Sequence, residues 1–204
     1  MRREGGYARL PPFAAGETIG LLGGSFNPPH SGHLLASRLA LTRLGLSQVW
    51  WLATPGNPLK NAADLAALRV RVEAAQALID DPRIAVTGFE SEIGSRYTAD
   101  ALRFLKRRAS GARFVWIMGA DNLAQFHRWR EWREIAAMVP ILVVDRPGAS
   151  FAALSSRAAQ ALARWRLPER EAARLAYMKP PAWIFLHGPR SSASSTALRR
   201  RAGA

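Results

Sequence analysis

The chain has no cysteine among its 204 residues, which excludes disulfide bonds, thiolate catalysis and a zinc site built on sulfur. It also has no apolar run of membrane-spanning length, and its basic N-terminus leads into Pro11-Pro12 rather than into an apolar segment. These absences predict a cytoplasmic protein that makes no membrane contact.

Acidic residues are scarce, because 15 Asp and Glu face 29 Lys and Arg, and the formal net charge is +14. A positive surface attracts phosphate groups, whether in a small substrate or in a nucleic acid. Lysine is scarce as well, and the arginines are dispersed along the chain rather than gathered in one stripe. The composition therefore leaves a basic RNA-binding module open, although no RNP-type aromatic pattern supports it.

The chain is long enough to bury a sizeable core, and 49% of its residues are hydrophobic. Residues 1–17 carry Gly5-Gly6, Pro11-Pro12 and Gly16, and they are predicted to form a flexible N-terminal extension. Residues 18–204 are predicted to form a single domain. The oligomeric state stays open, a homo-oligomer included.

Short apolar segments alternate with helical periodicity from residue 18 onwards. The pattern predicts six strands, at residues 18–22, 48–53, 83–86, 113–118, 140–144 and 183–186. It predicts helices after residue 30, over 64–79 and over 98–108, and a helical segment over 148–181. Continuous apolar strands separated by helices indicate a doubly wound α/β fold with a mainly parallel sheet. Ligands bind such sheets beyond the C-terminal ends of the strands.

The first predicted strand ends at Gly23-Gly24, and a helix begins after a short turn, at His30-Ser31-Gly32-His33. Glycines let a phosphate approach the main chain, and a helix N-terminus offers N–H groups and a positive dipole. His30 and His33 are three residues apart and face the same side of the helix. This stretch therefore predicts a polyphosphate site. A simple turn at the glycines and a metal pair at the histidines are the alternatives.

The complete stretch G-G-S-F-N-P-P-H-x-G-H resembles the signature of the nucleotidyltransferase superfamily, in which an H-x-G-H or T-x-G-H pair binds the phosphates of ATP. In this long form it resembles bacterial nicotinate-nucleotide adenylyltransferases. The resemblance implies a Rossmann-like nucleotidyltransferase fold and adenylyl transfer from ATP to nicotinate mononucleotide, which gives deamido-NAD and pyrophosphate in NAD biosynthesis. It also implies Mg²⁺ held by the phosphates of ATP and by water rather than by protein ligands, and no nucleic-acid partner.

Three further segments follow predicted strands: Thr54 to Lys60, Tyr97-Thr98, and Gly119-Ala120-Asp121 with Trp129. Without the resemblance, the first is typical of a proline-rich loop, the second of a helix cap and the third of aromatic packing. An aspartate just after a strand can accept ribose hydroxyls. The resemblance implies that the first two segments and Trp129 receive the pyridine nucleotide.

A serine-rich segment near the C-terminus precedes a helical Ala-Leu-Arg sequence and otherwise suits a flexible linker. It resembles the superfamily motif I-S-S-T-x-x-R, with Ala193 in place of isoleucine. The match implies a second phosphate-binding helix start.

The resemblance implies the following site residues. Catalysis is assigned to His30, His33 and Arg199. ATP binding is assigned to Gly23, Gly24, Ser25, Phe26, His30, His33, Asp121, Ser194, Ser195, Thr196 and Arg199. Mononucleotide binding is assigned to Asn27, Lys60, Tyr97, Thr98 and Trp129. An adenylyltransferase for nicotinamide mononucleotide or phosphopantetheine remains the alternative within this superfamily.

Overall fold

The computed structural model describes residues 6–56 and 65–188, together with Ser195 and Leu198. Within these residues seven strands form one sheet in the order β3-β2-β1-β4-β5-β7-β6, and all their pairings are parallel. The strands are β1 (Thr18–Gly24), β2 (Gln48–Ala53), β3 (Ile84–Thr87), β4 (Arg113–Gly119), β5 (Ile141–Val144), β6 (Arg166–Leu167) and β7 (Trp183–Leu186). The predicted doubly wound α/β fold is confirmed.

Helices cover both faces of the sheet. The α-helices are α1 (Ser31–Leu44), α2 (Leu68–Leu78), α3 (Thr98–Arg108), α4 (Ala120–Gln125), α5 (Trp132–Met138), α6 (Ser150–Leu154) and α7 (Arg157–Ala161). The described part of the chain also has 3₁₀ segments at Gly6–Ala8, Phe89–Ser91, Phe126–Arg128, Ala163–Trp165 and Glu169–Tyr177. Helices α1 and α2 and the segment Glu169–Tyr177 pack on one face, and α3 to α7 pack on the other. No helix among the described residues has the length and apolarity needed to cross a membrane.

The two apolar cores explain why the central strands are hydrophobic without alternation. Successive side chains of a strand point to opposite faces, so Trp50 packs in one core and Trp51 in the other, both fully buried. The indole N–H groups of these two residues both have acceptors, because Trp50 donates to Gln48 Oε1 and Trp51 donates to Ser37 Oγ, both at 2.8 Å. A strand with one solvent-facing side would not carry two adjacent tryptophans.

The order of the strands creates a crevice beside β1. The chain first places β2 and β3 on one side of β1, and then returns to place β4 on the other side. Connections leaving β1 and β4 therefore diverge to opposite faces of the sheet, which is the position where open α/β sheets bind ligands. Gly23-Gly24 and Gly119 lie at the C-terminal ends of these two strands.

Described residues of the predicted extension contact the sheet, since Thr87 Oγ1 donates to the carbonyl of Arg9 at 2.8 Å and Phe13 meets Trp50 edge-on. The division into a flexible extension and a single domain stays a prediction. The predicted helical segment 148–181 is divided into α6, α7, two 3₁₀ segments and β6. The two-residue strand β6 is too short for a periodic pattern, and its pairing with β7 defines it.

Candidate active site

A cavity of about 440 Å³ opens beyond the C-terminal ends of the central strands. Ten of the residues predicted from the sequence line it, although they come from segments far apart in the chain. They are Gly23, Gly24, Ser25, His30, His33, Tyr97, Thr98, Asp121, Trp129 and Ser195. Their convergence at the switch point of the sheet indicates one binding site rather than several independent turns and caps.

His30 is the N-cap of α1 and has an extended backbone. Its side chain is buried, and its Nδ1 has no hydrogen-bond partner among the described residues. Burial, together with the nearby charge of Arg146, lowers the pKa of His30 to about 4, and Asp121 opposes the shift. The imidazole is therefore neutral at pH 7 and presents one N–H donor and one acceptor.

His33 stacks on His30, with ring centroids 3.8 Å apart and planes inclined by 28°. The main-chain N–H of His30 donates to Nδ1 of His33 at 3.2 Å. Because Nδ1 accepts this bond, the neutral ring carries its proton on Nε2. The spacing of the two histidines thus sets both the tautomer and the orientation of the second ring.

The Phe26 side chain packs against His33 and does not line the cavity. Its side chain is fully buried and stacks on Trp51 at 5.0 Å, and its ring also lies 4.8 Å from that of His33. The backbone of Phe26 has φ +47°, a left-handed conformation that costs about 1–3 kcal/mol in a non-glycine residue. The Phe26 side chain therefore packs beneath the cavity, and the assignment of Phe26 to ATP binding stays a prediction.

Asp121 lies in the first turn of α4 and is half exposed to the cavity. Its Oδ1 is 3.4 Å from Nε of Arg146, which follows β5. A Cβ at Gly119 would lie 2.4 Å from Asp121 Oδ1 and 2.7 Å from Arg146 Nε. Only glycine at this position lets the carboxylate and the guanidinium meet beside the end of β4.

The opposite end of the cavity is formed by the start of α3 and by Trp129. Tyr97 is the N-cap of α3, and Thr98 is the first residue of the helix. Trp129 contacts Trp116 and Phe126 edge-on. Its neighbour in the chain, Arg130, places its guanidinium 4.1 Å from the centre of the Tyr97 ring.

Asp100 links the start of α3 to the segment that carries Trp129 through hydrogen bonds. Its carboxylate accepts from Ser95 Oγ at 2.8 Å, from Arg103 at 3.1 Å and from Arg130 at 3.3 Å. Ser95 Oγ in turn accepts from the main-chain N–H of Tyr97 at 3.2 Å. The network holds the start of α3 against the segment that carries Trp129.

Thr54 and Gly56, from the predicted segment Thr54 to Lys60, also line the cavity. Eight lining residues were not predicted from the sequence: Glu90, Arg96, Trp116, Asn122, Arg128, Arg130, Ile135 and Arg146. Glu90 is the most unusual, since it is a buried carboxyl group hydrogen-bonded to the Thr54 side chain. Burial raises its pKa to about 7. Glu90 and Arg146 each lie within three residues of a strand end, and this position is the only signal that the sequence carries for them.

Of the other predicted residues, the structure describes Phe26 and Asn27, and neither lines the cavity. Asn27 lies in the loop before α1 but outside the set of lining residues. Lys60, Ser194, Thr196 and Arg199 lie outside the described residues and stay predictions. Ser195 Oγ donates to the carbonyl of Pro28 at 2.8 Å, which places Ser195 beside the loop before α1.

The helix start that carries the two histidines lies at the switch point of a parallel sheet, a position that favours phosphate groups. Residues 21–201 match the family model described as cytidylyltransferase-like, and the chain belongs to that family. Nucleotidyltransferases generally use a divalent metal with ATP. Among the described residues no group of three or more His, Cys, Asp or Glu is arranged to hold a metal ion.

Within the family, the chain is similar to proteins described as probable nicotinate-nucleotide adenylyltransferases. It is 63% identical over 183 residues to one from Methylorubrum extorquens, with 90% of this chain and 99% of the relative covered. It is 60% identical over 185 residues to one from a Bradyrhizobium species, with 91% of this chain and 96% of the relative covered. These relatives confirm the resemblance carried by Gly23 to His33.

The fold is also similar to that of a solved structure, the Plasmodium falciparum nicotinic acid mononucleotide adenylyltransferase complexed with NaAD. The TM-score is 0.68 with 16% sequence identity, and the match covers 90% of this chain and 83% of the other. At this identity the likeness concerns the fold alone.

Proposed function

We propose that the protein transfers the adenylyl group of ATP to nicotinate mononucleotide, which gives deamido-NAD and pyrophosphate. The observation that carries the proposal is the single cavity that joins the histidine pair at one end to the start of α3 and Trp129 at the other. Relatives at 55–63% identity, all described as probable nicotinate-nucleotide adenylyltransferases, support the same activity.

The reaction needs alignment and charge stabilisation more than acid–base catalysis. The phosphate of the mononucleotide is already ionised near pH 7 and attacks the α-phosphorus of ATP in line with the leaving pyrophosphate. A new P–O bond forms as the bond from the α-phosphorus to the bridging oxygen breaks. Negative charge then accumulates on the pyrophosphate, so the useful protein groups are hydrogen-bond donors and cations that face it.

We assign His30 and His33 to the phosphates of ATP. A neutral His30 and the Nε2–H of His33 act as donors beside the N-terminus of α1, which adds a positive dipole. The glycines at the end of β1 let the phosphates approach the main chain. Ser195 lies close enough to the loop before α1 to join them, and Arg199, whose position is not described, is assigned to the β- and γ-phosphates.

The half-exposed carboxylate of Asp121 is assigned to the ribose hydroxyls of ATP. Mg²⁺ is assigned as the cation that accompanies ATP and neutralises part of its phosphate charge. Its ligands are assigned to phosphate oxygens and water.

The mononucleotide is assigned to the other end of the cavity. Main-chain amides at Tyr97 and Thr98 suit a carboxylate, because the N-terminus of a helix favours anions. Trp129 offers an aromatic face to the pyridine ring. Arg96, Arg128 and Arg130 also line the cavity and favour an acidic pyridine over a neutral amide.

A substrate panel tests the proposal. Pyrophosphate release is measured with ATP and, in turn, nicotinate mononucleotide, nicotinamide mononucleotide and phosphopantetheine. We expect the highest kcat/KM with nicotinate mononucleotide. A higher value with either other acceptor would contradict the proposed substrate. RNA binding with a steep salt dependence and no turnover with any acceptor would instead favour an RNA-binding module.

A further inference from the structure

Arg71 is a buried arginine of α2 that no motif of the sequence singled out. Only 2% of its surface is exposed. Its hydrogen bonds in the described part of the chain go to main-chain carbonyl oxygens. Nε donates to Ala66 at 2.7 Å, and Nη1 donates to Ser25 at 2.6 Å and to Thr54 at 2.9 Å.

The two acceptors of Nη1 occupy equivalent positions in neighbouring strands. Ser25 is the first residue after β1 and Thr54 the first after β2, and the last residues of these strands pair with each other in the sheet. At this point the parallel ladder ends, so its carbonyl groups need other partners. One nitrogen of Arg71 therefore bridges the two loops where they leave the sheet.

These loops serve different parts of the cavity. The first runs from Gly24 and Ser25 to the histidines of α1, and the second begins with Thr54 and Gly56, which also line the cavity and belong to the segment assigned to the mononucleotide. We propose that Arg71 is a positioning residue that fixes the phosphate-binding loop after β1 relative to the loop after β2. The inference rests on the proposed function, because it concerns how the two substrates are aligned.

Arginine suits this role better than lysine. Its planar guanidinium holds several N–H donors in a fixed arrangement and can donate to carbonyl oxygens of both loops at once. The ammonium group of lysine carries its donors on one nitrogen at the end of a flexible side chain. Burial lowers the pKa of Arg71, and an arginine tolerates this without losing its charge. The charge also adds to the positive potential behind the phosphate loop.

The test compares Arg71→Ala and Arg71→Lys with Arg69→Ala as a matched control. Arg69 lies in the same helix, is mostly exposed and pairs only with Glu73 at 3.6 Å in the described structure. For Arg71→Ala we expect kcat to fall by about 10- to 100-fold, because a displacement of reacting groups by about 1 Å costs on that order. The KM values for both substrates should rise, and Arg69→Ala should behave as wild type.

Chemical rescue separates positioning from a purely structural role. Guanidinium ions, at concentrations far below those that unfold proteins, should restore part of the kcat of Arg71→Ala, whereas urea at the same concentration should not. Thermal unfolding is recorded for each variant. Activity within twofold of wild type, or an activity loss that only follows the unfolded fraction, would overturn the inference.

If Arg71→Ala does not fold, the kinetics of Arg71→Lys test the inference instead. A folded lysine variant with kcat lowered severalfold supports positioning, and one with wild-type kinetics excludes it. The proposed function fails separately, when the wild-type protein releases no pyrophosphate with ATP and nicotinate mononucleotide. An active wild type with unaffected Arg71 variants overturns the inference alone.

Discussion

At the scale of single residues, the histidine pair works because its surroundings restrict it. His33 is held by the main-chain N–H of His30 and by contacts with Phe26 and Trp51. Its ring therefore loses little freedom when a phosphate binds, which is the advantage of a preorganised donor. His30 is kept neutral by burial, so the pair does not rely on permanent charge.

His33→Ala is expected to lower kcat by a factor of about 100 or more, because one lost transition-state donor costs on that order. Pyrophosphate release under saturating substrates measures the effect. His187→Ala is the control, since His187 lies outside the cavity and pairs with Glu169. A kcat within about threefold of wild type would remove His33 from the mechanism.

His30 is expected to make the free energy of unfolding depend on pH. Its pKa falls from 6.5 in the unfolded chain to about 4 in the folded one, so the unfolded state binds the proton more readily between these values. The contribution of His30 to the free energy of unfolding is therefore complete above pH 6.5 and is lost as the pH falls towards 4. It amounts to at most about 3 kcal/mol.

Urea unfolding of wild type and His30→Gln at several pH values measures this contribution. The difference in unfolding free energy between the two proteins should change with pH only in that window. A difference that is constant from about pH 7 to about pH 4 would show that His30 is not buried in its neutral form.

At the scale of elements, the proposed mononucleotide end depends on how α3 meets the segment between α4 and α5. Asp100 and Arg130 link them, and Arg103 adds bonds to Glu131 and Glu134. Glu131 has φ +56°, the second non-glycine residue with a left-handed backbone in the described chain. The strained turn and the ion pairs together direct Trp129 towards the cavity.

Trp129→Ala is expected to raise the KM for the mononucleotide by about 10-fold and to leave that for ATP nearly unchanged, because stacking on one aromatic ring contributes about 1 kcal/mol or more. Trp165→Ala is the control, since Trp165 is also partly buried but does not line the cavity. An effect on ATP instead would show that the two substrates are assigned to the wrong ends.

Asp100→Asn is expected to raise the same KM by a smaller factor, about two- to fivefold, because its partners are partly exposed and solvent screens the lost charge. High salt should reduce the difference between variant and wild type. An unchanged KM at low salt would mean that the network does not position the start of α3.

At the scale of the whole molecule, the strand order explains why residues from separate segments meet. The reversal at β1 brings the ends of β1 and β4 side by side, and the connections after β2, β3 and β5 supply the remaining walls. The space that a Cβ at Gly119 would need is already taken by Asp121 and Arg146. The shape of the crevice is therefore sensitive to small changes of side chain at the strand ends.

Gly119→Ala is expected to raise the KM for ATP by about 10-fold, because displacing Asp121 removes hydrogen bonds to the ribose. Thermal stability should change little, since the crowded atoms belong to side-chain ends that can move. Gly188→Ala is the control, as its Cβ would only touch Leu39 at ordinary contact distance. Unchanged KM values would argue against the role of Asp121.

Properties that depend on residues close to one another in the sequence can be predicted from the sequence alone. Fully apolar strands, the bounds of α3 and the glycine–histidine stretch are local patterns, and they were sufficient for the fold class and for ten of the cavity residues. The family resemblance is local in the same sense, because it rests on short motifs.

Other properties depend on contacts between distant segments, and the sequence carries little signal for them. Burial of Phe26 follows from its fit between Gly24 and Trp51. Arg146 and Glu90 join the cavity, and Arg71 bridges two loops, only because the sheet brings separate strand ends together. An arginine or glutamate in a helix or loop is usually solvated, so its role here becomes visible only when the fold removes it from water.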